Sequence, residues 1–295
     1  MVESGRREVL VGVDLSESSR RAVRWAALEA AGRRRPLRLV HVLTWPEDED
    51  VQKRLPERNE VVQPLREELR SELDMATEVV RDLAPDVEVR SDLPLGDPAE
   101  VLADLAERAE LLVLGGPRTA DGFGVVGATS AEVLARRAGG PVVVVRGSGD
   151  QWSGGPVVVG VDGSRTSERA IGFGYDFASR HDLELVAVHA WSDLPLDPFR
   201  RVRSWELPWS EVRGAAEEVL AESVAGWKEH YPDVSVRRAV TPEKPVHALL
   251  REAEQASLVV VGSHGRGRVK RAVLGSVSHA VVNRAPRPVA VLPAG

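Results

Sequence analysis

The stretch "VVVGVDGSRTSERAI", residues 157–171, reads as a buried strand that stops at an acidic residue and turns into a serine-capped helix. The same phrase stands earlier in the chain: "VLVGVDLSESSRRAV", residues 9–23, sets Asp14 against Asp162 and Ser16 against Ser164 at a spacing of 148 positions. A self-match at such a spacing identifies one unit written twice. "LRLVHVLTW" (37–45) faces "LELVAVHAW" (183–191), which places Trp45 opposite Trp191. "LLVLGG" (111–116) faces "LVVVGS" (258–263), and "GATSAEVLARRAGGPVVVVR" (127–146) faces "GSVSHAVVNRAPRPVAVLP" (275–293), with Gly127 opposite Gly275. The copies meet in "GSGDQWSGG" (147–155), whose Gly and Ser content marks a linker, so the expected domains are 1–148 and 149–295.

Within the first copy, short aliphatic runs at 9–13, 37–43, 86–91, 111–114 and 141–146 alternate with helical patterns after Ser16 and over 61–84, 98–109 and 129–138. Continuous aliphatic runs, rather than alternating ones, suit strands covered by helices on both faces. The fold class is therefore α/β: two tandem doubly wound domains, each a five-stranded parallel sheet flanked by helices. Ser16, Ser164 with Glu168, and Asp97 before Pro98 mark helix starts. Segments 44–60 and 191–210 differ between the copies and carry Pro, Trp and charge, as insertions over a site or an interface do.

Composition narrows the function. A net charge of −6 gives no global field toward nucleic acid or an anionic membrane, so an anion site must be local. The absence of cysteine excludes disulfides, thiolate metal sites and cysteine nucleophiles. The N-terminus lacks a signal-peptide core, and no apolar run approaches the roughly 20 residues that cross a bilayer, so the expected location is the cytoplasm. The seven histidines show no metal-ligand spacing, and no metal site is expected from them.

In an open parallel sheet, ligands collect outside the carboxyl ends of the strands where strand order reverses. The first strand of each copy ends in "VGVD" and the fourth in "LGG" or "VGS", and if these strands are neighbours, Asp162 and Gly262 face one crevice. "GSHGRGRVKRAVLGSVS" (262–278) then has the chemistry of an anion cradle: Gly262, Gly265 and Gly267 allow close backbone approach, and Gly275-Ser276-Val277-Ser278 opens a helix whose first N–H groups lack partners. The plain alternative is a Gly-rich turn followed by a serine cap. Asp162 likewise reads either as an Asx turn or as an acceptor for a ligand amine. Among the basic residues Arg266, Arg268, Lys270 and Arg271, the favoured reading is a solvated face with one or two members near phosphate.

Gly262, two residues, Gly265, nine residues, then Gly275-Ser276 resembles the nucleotide-binding motif of the universal stress protein family, and "VGVDGS" resembles that family's first strand. The resemblance covers nearly the whole chain. It implies ATP as the ligand, with Mg²⁺ possible at the phosphates; Asp162 at the adenine edge; Val188 or a neighbour giving base contacts; and Gly262, Gly265, Arg266, Gly275, Ser276, Val277 and Ser278 around ribose and phosphate. The matching positions of the first copy are Asp14, Gly115, Gly127, Thr129 and Ser130. That copy departs from the motif at Pro117, Arg118 and Ala128, so its site is expected to bind nucleotide weakly, to bind another ligand, or to bind nothing.

Three functions follow in order. The first is a regulatory adenine-nucleotide-binding protein of the stress response, with slow or absent hydrolysis, acting as a homodimer or on an unidentified regulatory protein. The second is a slow ATPase or nucleotidyl-transfer enzyme, for which no catalytic residue is assigned: His264 lacks a nucleophile or carboxylate at a suggestive spacing. The third is an interaction scaffold in which nucleotide is secondary.

Overall fold

The computed structural model describes residues 7–14, 16–44, 58–116, 133–134, 139–146, 154–191, 209–265 and 274–293. The chain divides into two compact units, Met1–Asp150 and Gln151–Gly295.

In the first unit, β1 (Val9–Gly12), α1 (Glu17–Arg33), β2 (Leu37–Val40), α2 (Arg58–Leu83), β3 (Val89–Asp92), α3 (Pro98–Ala106), β4 (Leu111–Gly115) and β5 (Val142–Val145) follow in chain order. All pairings are parallel, β3 to β2 to β1 to β4 to β5. The β1–β4 neighbourhood is the point where strand order reverses. Helix α1 packs on β1, β4, β5 and α2, while α3 also contacts β1. Every residue of β4 and β5 is buried, which is why both runs are continuously aliphatic. The sequence pattern placed these elements to within a few residues; the helix expected over 129–138 lies mostly outside the described residues, which there include only Val133 and Leu134, both helical.

The second unit repeats the plan: β6 (Val157–Gly160), α4 (Arg165–His181), β7 (Leu185–Ala190), α5 (Trp209–Val224), the short α6 (Trp227–His230), β8 (Val236–Thr241), α7 (Pro245–Ala253), β9 (Leu258–Gly262), α8 (Ser276–Arg284) and β10 (Val289–Leu292). Parallel pairings run β8 to β7 to β6 to β9 to β10. Helix α4 lies on β6, β9 and β10 with α5 beside it, and α7 contacts β6, β7 and β9 with α8 beside it. The core is aliphatic, with Val157, Val158, Val159, Leu185, Val186, Leu258, Val259 and Val260 fully buried. Outside it, Trp227 covers Gly172 and stacks on Tyr175 at 5.7 Å between ring centroids.

One expected match is corrected by the register. Val9 pairs Leu37 and Val157 pairs Leu185, so the second strands superimpose at the same spacing of 148 as the first, and not at 146. Trp45, itself outside the described residues, is therefore not the counterpart of Trp191. The residues that the repeat superimposes are His41 and His189.

Candidate functional site

The second unit builds its crevice where β6 has β7 on one side and β9 on the other. Past the end of β6 the chain turns through Asp162 and Gly163, whose φ of 74° lies in the left-handed region that favours glycine. Asp162 is half-buried, and its Oδ1 accepts from the Ser164 N–H at 2.9 Å. Ser164 then caps α4, its Oγ accepting from the Ser167 N–H at 3.2 Å. These local bonds fix the carboxylate with one oxygen used. The other, Oδ2, lies 2.6 Å from where a Cβ on Gly265 would stand. The geometry thus brings together Asp162 and Gly265, residues far apart in the chain.

Gly262 has a different neighbour. A Cβ there would meet Thr166 Cγ2 at 2.7 Å and Thr166 Cβ at 3.0 Å, so the missing side chain lets α4 sit against the end of β9. From Gly262 the chain passes through Ser263, whose N–H donates to the Leu292 carbonyl at 2.8 Å. The loop that follows is closed at its base: the Gly275 N–H donates to the Ser263 carbonyl at 2.7 Å, and Ser278 Oγ lies 3.0 Å from the same carbonyl and 2.9 Å from that of Gly275. Ser278 is 2% exposed, so its hydroxyl ties the helix start to β9 and only its N–H is left to offer. Ser276 is exposed and Val277 half-buried. Gly275 caps α8 without a side-chain bond, and the first helical bond is from the His279 N–H to the Gly275 carbonyl at 2.9 Å. The N–H groups of Ser276, Val277 and Ser278 therefore stand at an uncapped, positive helix end. Residues 266–273, with Arg266, Arg268, Lys270 and Arg271, lie outside the described residues.

Val188 is 3% exposed, and its carbonyl accepts from the Val161 N–H at 2.8 Å. Its side chain belongs to the core and its carbonyl to the ladder. The neighbour His189 reads in the sequence only as one of the histidines without metal-ligand spacing, and its partner is visible only in the structure. This ring is 4% exposed, with Nδ1 2.7 Å from the Val161 carbonyl oxygen, directly before Asp162. Superposing the second strands at the spacing used for the first would have revealed the His41–His189 match.

In the first unit, Asp14 is exposed, and its Oδ1 accepts from both the N–H and the hydroxyl of Ser16, at 3.1 and 2.6 Å. A Cβ on Gly115 would lie 2.7–2.9 Å from the backbone of Ser18 and Ser19, making this glycine a packing residue. Gly127, Thr129 and Ser130 lie outside the described residues, as do Pro117, Arg118 and Ala128. Burial pushes the pKa of Arg146, at the end of β5, below its ordinary value. Burial also lowers that of His41, against the opposing pull of the Val13 carbonyl and Asp14.

The donor set in the second unit suits an adenine nucleotide: a carboxylate oxygen for an exocyclic amine, small residues where a chain must pass closely, and a helix start for phosphate. His264 Nδ1 lies 3.1 Å from Ser263 Oγ, facing a neighbour in its own loop. Among the described residues, no group of three His, Asp or Glu side chains is placed to hold a metal ion, and no helix is long and apolar enough to cross a membrane.

The family model for the universal stress protein family matches residues 5–146 and 155–293. A universal stress protein of Mycolicibacterium smegmatis is 39% identical over 300 residues, covering 96% of each chain. Another, from Mycobacterium tuberculosis, is 40% identical over 297 residues with the same coverage. Among solved structures, the crystal structure of a universal stress protein from Archaeoglobus fulgidus superimposes with a TM-score of 0.72 at 20% identity, covering 97% of this chain and 98% of that one, a likeness of fold.

Proposed function

The chain belongs to the universal stress protein family, with a family match in each unit, and from this premise we propose that its second unit binds ATP as a regulatory ligand. The observation that carries the reading is the meeting of Asp162 Oδ2 and the bare Cα of Gly265 at the strand-order reversal, with the uncapped start of α8 in the same unit. The adenine amine donates to Oδ2, the chain of the nucleotide passes over Gly265, and the phosphates take the N–H groups of Ser276, Val277 and Ser278. Arg266 supplies charge from the loop and Mg²⁺ accompanies the phosphates. Hydrolysis is slow or absent, since no group is assigned to orient an attacking water. Occupancy of the site is read by a partner, either a second copy of the chain or a regulatory protein, in the cytoplasm.

The test is to denature freshly purified protein, chromatograph what is released and count adenine nucleotide per chain. About one per chain is expected. About two would mean that the first unit also binds. None, with none taken up on adding ATP and Mg²⁺, would overturn the reading and leave the loop as a turn beneath an interaction scaffold.

A further inference from the structure

Among the seven histidines, only His41 and His189 are superimposed by the internal repeat. His189 lies near the end of β7 and His41 directly after β2; the His189 ring bonds the carbonyl of Val161, the residue before Asp162, whereas His41 Nδ1 is buried with no hydrogen-bond partner among the described residues. A carbonyl oxygen only accepts, so His189 carries its proton on Nδ1 and donates it. Strand β6 has ended at Gly160, and the Val161 carbonyl lies past the regular ladder, where a side-chain donor replaces a backbone one. Val161 is thereby held to β7 at both ends, its N–H on the Val188 carbonyl at 2.8 Å and its C=O on the imidazole at 2.7 Å. The peptide that leads into Asp162 is fixed in direction. With Oδ1 engaged by the Ser164 N–H, that direction decides where Oδ2 points.

We infer that His189 is a positioning residue for base selection: the Nδ1–H of its imidazole aims Asp162 Oδ2 at the 6-amino group of the purine and so sets the preference for adenine over a 6-oxo purine. The inference rests on the proposed nucleotide site and names what that site discriminates. Without the imidazole donor, the Val161 carbonyl is buried and unpaired, and the peptide must turn to recover a partner. The carboxylate turns with it. A 6-oxo purine presents an acceptor where adenine presents a donor, so a well-aimed carboxylate rejects it and a misdirected one does not.

Asn and Gln separate positioning from plain packing, because the amide nitrogen of Asn can occupy the place of Nδ1 and that of Gln cannot. Full-length protein is titrated with ATP and with inosine triphosphate, in wild type, His189→Asn and His189→Gln, with thermal midpoints recorded. Wild type and His189→Asn are expected to prefer ATP, and His189→Gln to lose about tenfold of that preference, the scale of one hydrogen bond. A His189→Gln protein that folds and discriminates as wild type does, or a His189→Asn protein that fails as badly as His189→Gln, would overturn the inference. If wild type itself binds neither nucleotide, or both equally, the base-reading role of Asp162 falls first and this inference with it. Imidazole ¹⁵N shifts of the ligand-free wild type give a measure that needs neither nucleotide nor variant: an Nε2–H tautomer at His189 would refute the assignment even if His189→Gln did not fold.

Discussion

A methyl group on Gly262 and one on Gly265 would meet different things, although both glycines belong to the same loop motif. On Gly262 it would press on Thr166 in the first turn of α4, at 2.7 Å from a methyl carbon. Gly262→Ala is therefore expected to lower stability by about 1–3 kcal/mol, the usual cost of overpacking, as measured by urea unfolding. On Gly265, which is exposed, it would lie 2.6 Å from Asp162 Oδ2 and displace a carboxylate held by its turn. Gly265→Ala should leave the unfolding midpoint nearly unchanged and reduce ATP affinity by tenfold or more in a titration; wild-type affinity would remove Asp162 from the site. The first unit offers a residue-scale test by pH. Burial lowers the pKa of His41 from 6.5, so the unfolded chain takes up a proton at that residue before the folded one does. Its contribution is present above pH 6.5 and declines as pH falls through the window between the unfolded and folded values. Unfolding free energy measured from pH 7.5 to about 5 should fall less steeply in His41→Asn than in wild type; parallel curves would show that His41 does not titrate differently on folding.

At the scale of elements, the two copies cap α1 and α4 alike with serine but start α3 and α7 with different caps. Asp97 caps α3, its carboxylate accepting from the Glu100 N–H at 2.8 Å, whereas Lys244 in the same place before α7 makes no side-chain cap and sets a positive charge at a positive helix end. Lys244 has extended backbone, φ −65° and ψ 140°, which an Asp cap also adopts. Lys244→Asp is expected to stabilise the protein by about 1 kcal/mol and Asp97→Ala to destabilise it by a similar amount, both read from denaturant midpoints. Caps were legible because their chemistry is local: Ser16, Asp97 and Ser164 each announce a helix within four residues of sequence, and all three cap as expected. Strand register was not legible in the same way. Sliding "LELVAVHAW" by two positions keeps every side chain on its own face, so hydrophobic pattern does not distinguish the true match from the false one that paired the tryptophans. Register does distinguish them: Val9 stands beside Leu37 and Val157 beside Leu185, with the Val9 N–H on the Pro36 carbonyl and the Val157 N–H on the Glu184 carbonyl, and only that register exposes the histidine pair. That the ends of β6 and β9 are neighbours was legible from strand order, but the residue beside Asp162 was not: the sequence sets Gly262 across from it, whereas Gly265 lies against its Oδ2 and Gly262 packs on Thr166. The internal use of the Ser278 hydroxyl was not, since a serine in a helix's first turn has the same sequence signature whether it faces a ligand or its own backbone.

For the whole molecule, one fold written twice need not mean one function performed twice. Among the described residues only Oδ1 of Asp162 is hydrogen-bonded, Oδ2 lies beside Gly265, and the sequence sets Arg118 at the place of that glycine in the first copy. A side chain at the position of Gly265 would begin 2.6 Å from the Asp162 carboxylate oxygen, whereas Arg118 itself lies outside the described residues. Asp14 is also more fully engaged than Asp162, its Oδ1 taking both the amide and the hydroxyl of Ser16. Nucleotide should therefore stabilise the units unequally. A ligand at 100 times its dissociation constant adds about 2.7 kcal/mol to the state that binds it, enough to slow amide exchange roughly 100-fold where exchange requires the occupied unit to open. Hydrogen exchange with and without saturating ATP should show new protection over 157–168, 258–265 and 275–284, and little over 9–19 and 111–116. Equal protection in both sets would mean that the first unit holds nucleotide by contacts other than those of the second, and that the divergence of its glycine loop changed how the ligand is held and not whether it is held. Protection confined to the second set of strands would mean that the repeat has kept its sheet in both copies and its ligand in one, leaving the surface of the first unit to evolve under packing alone.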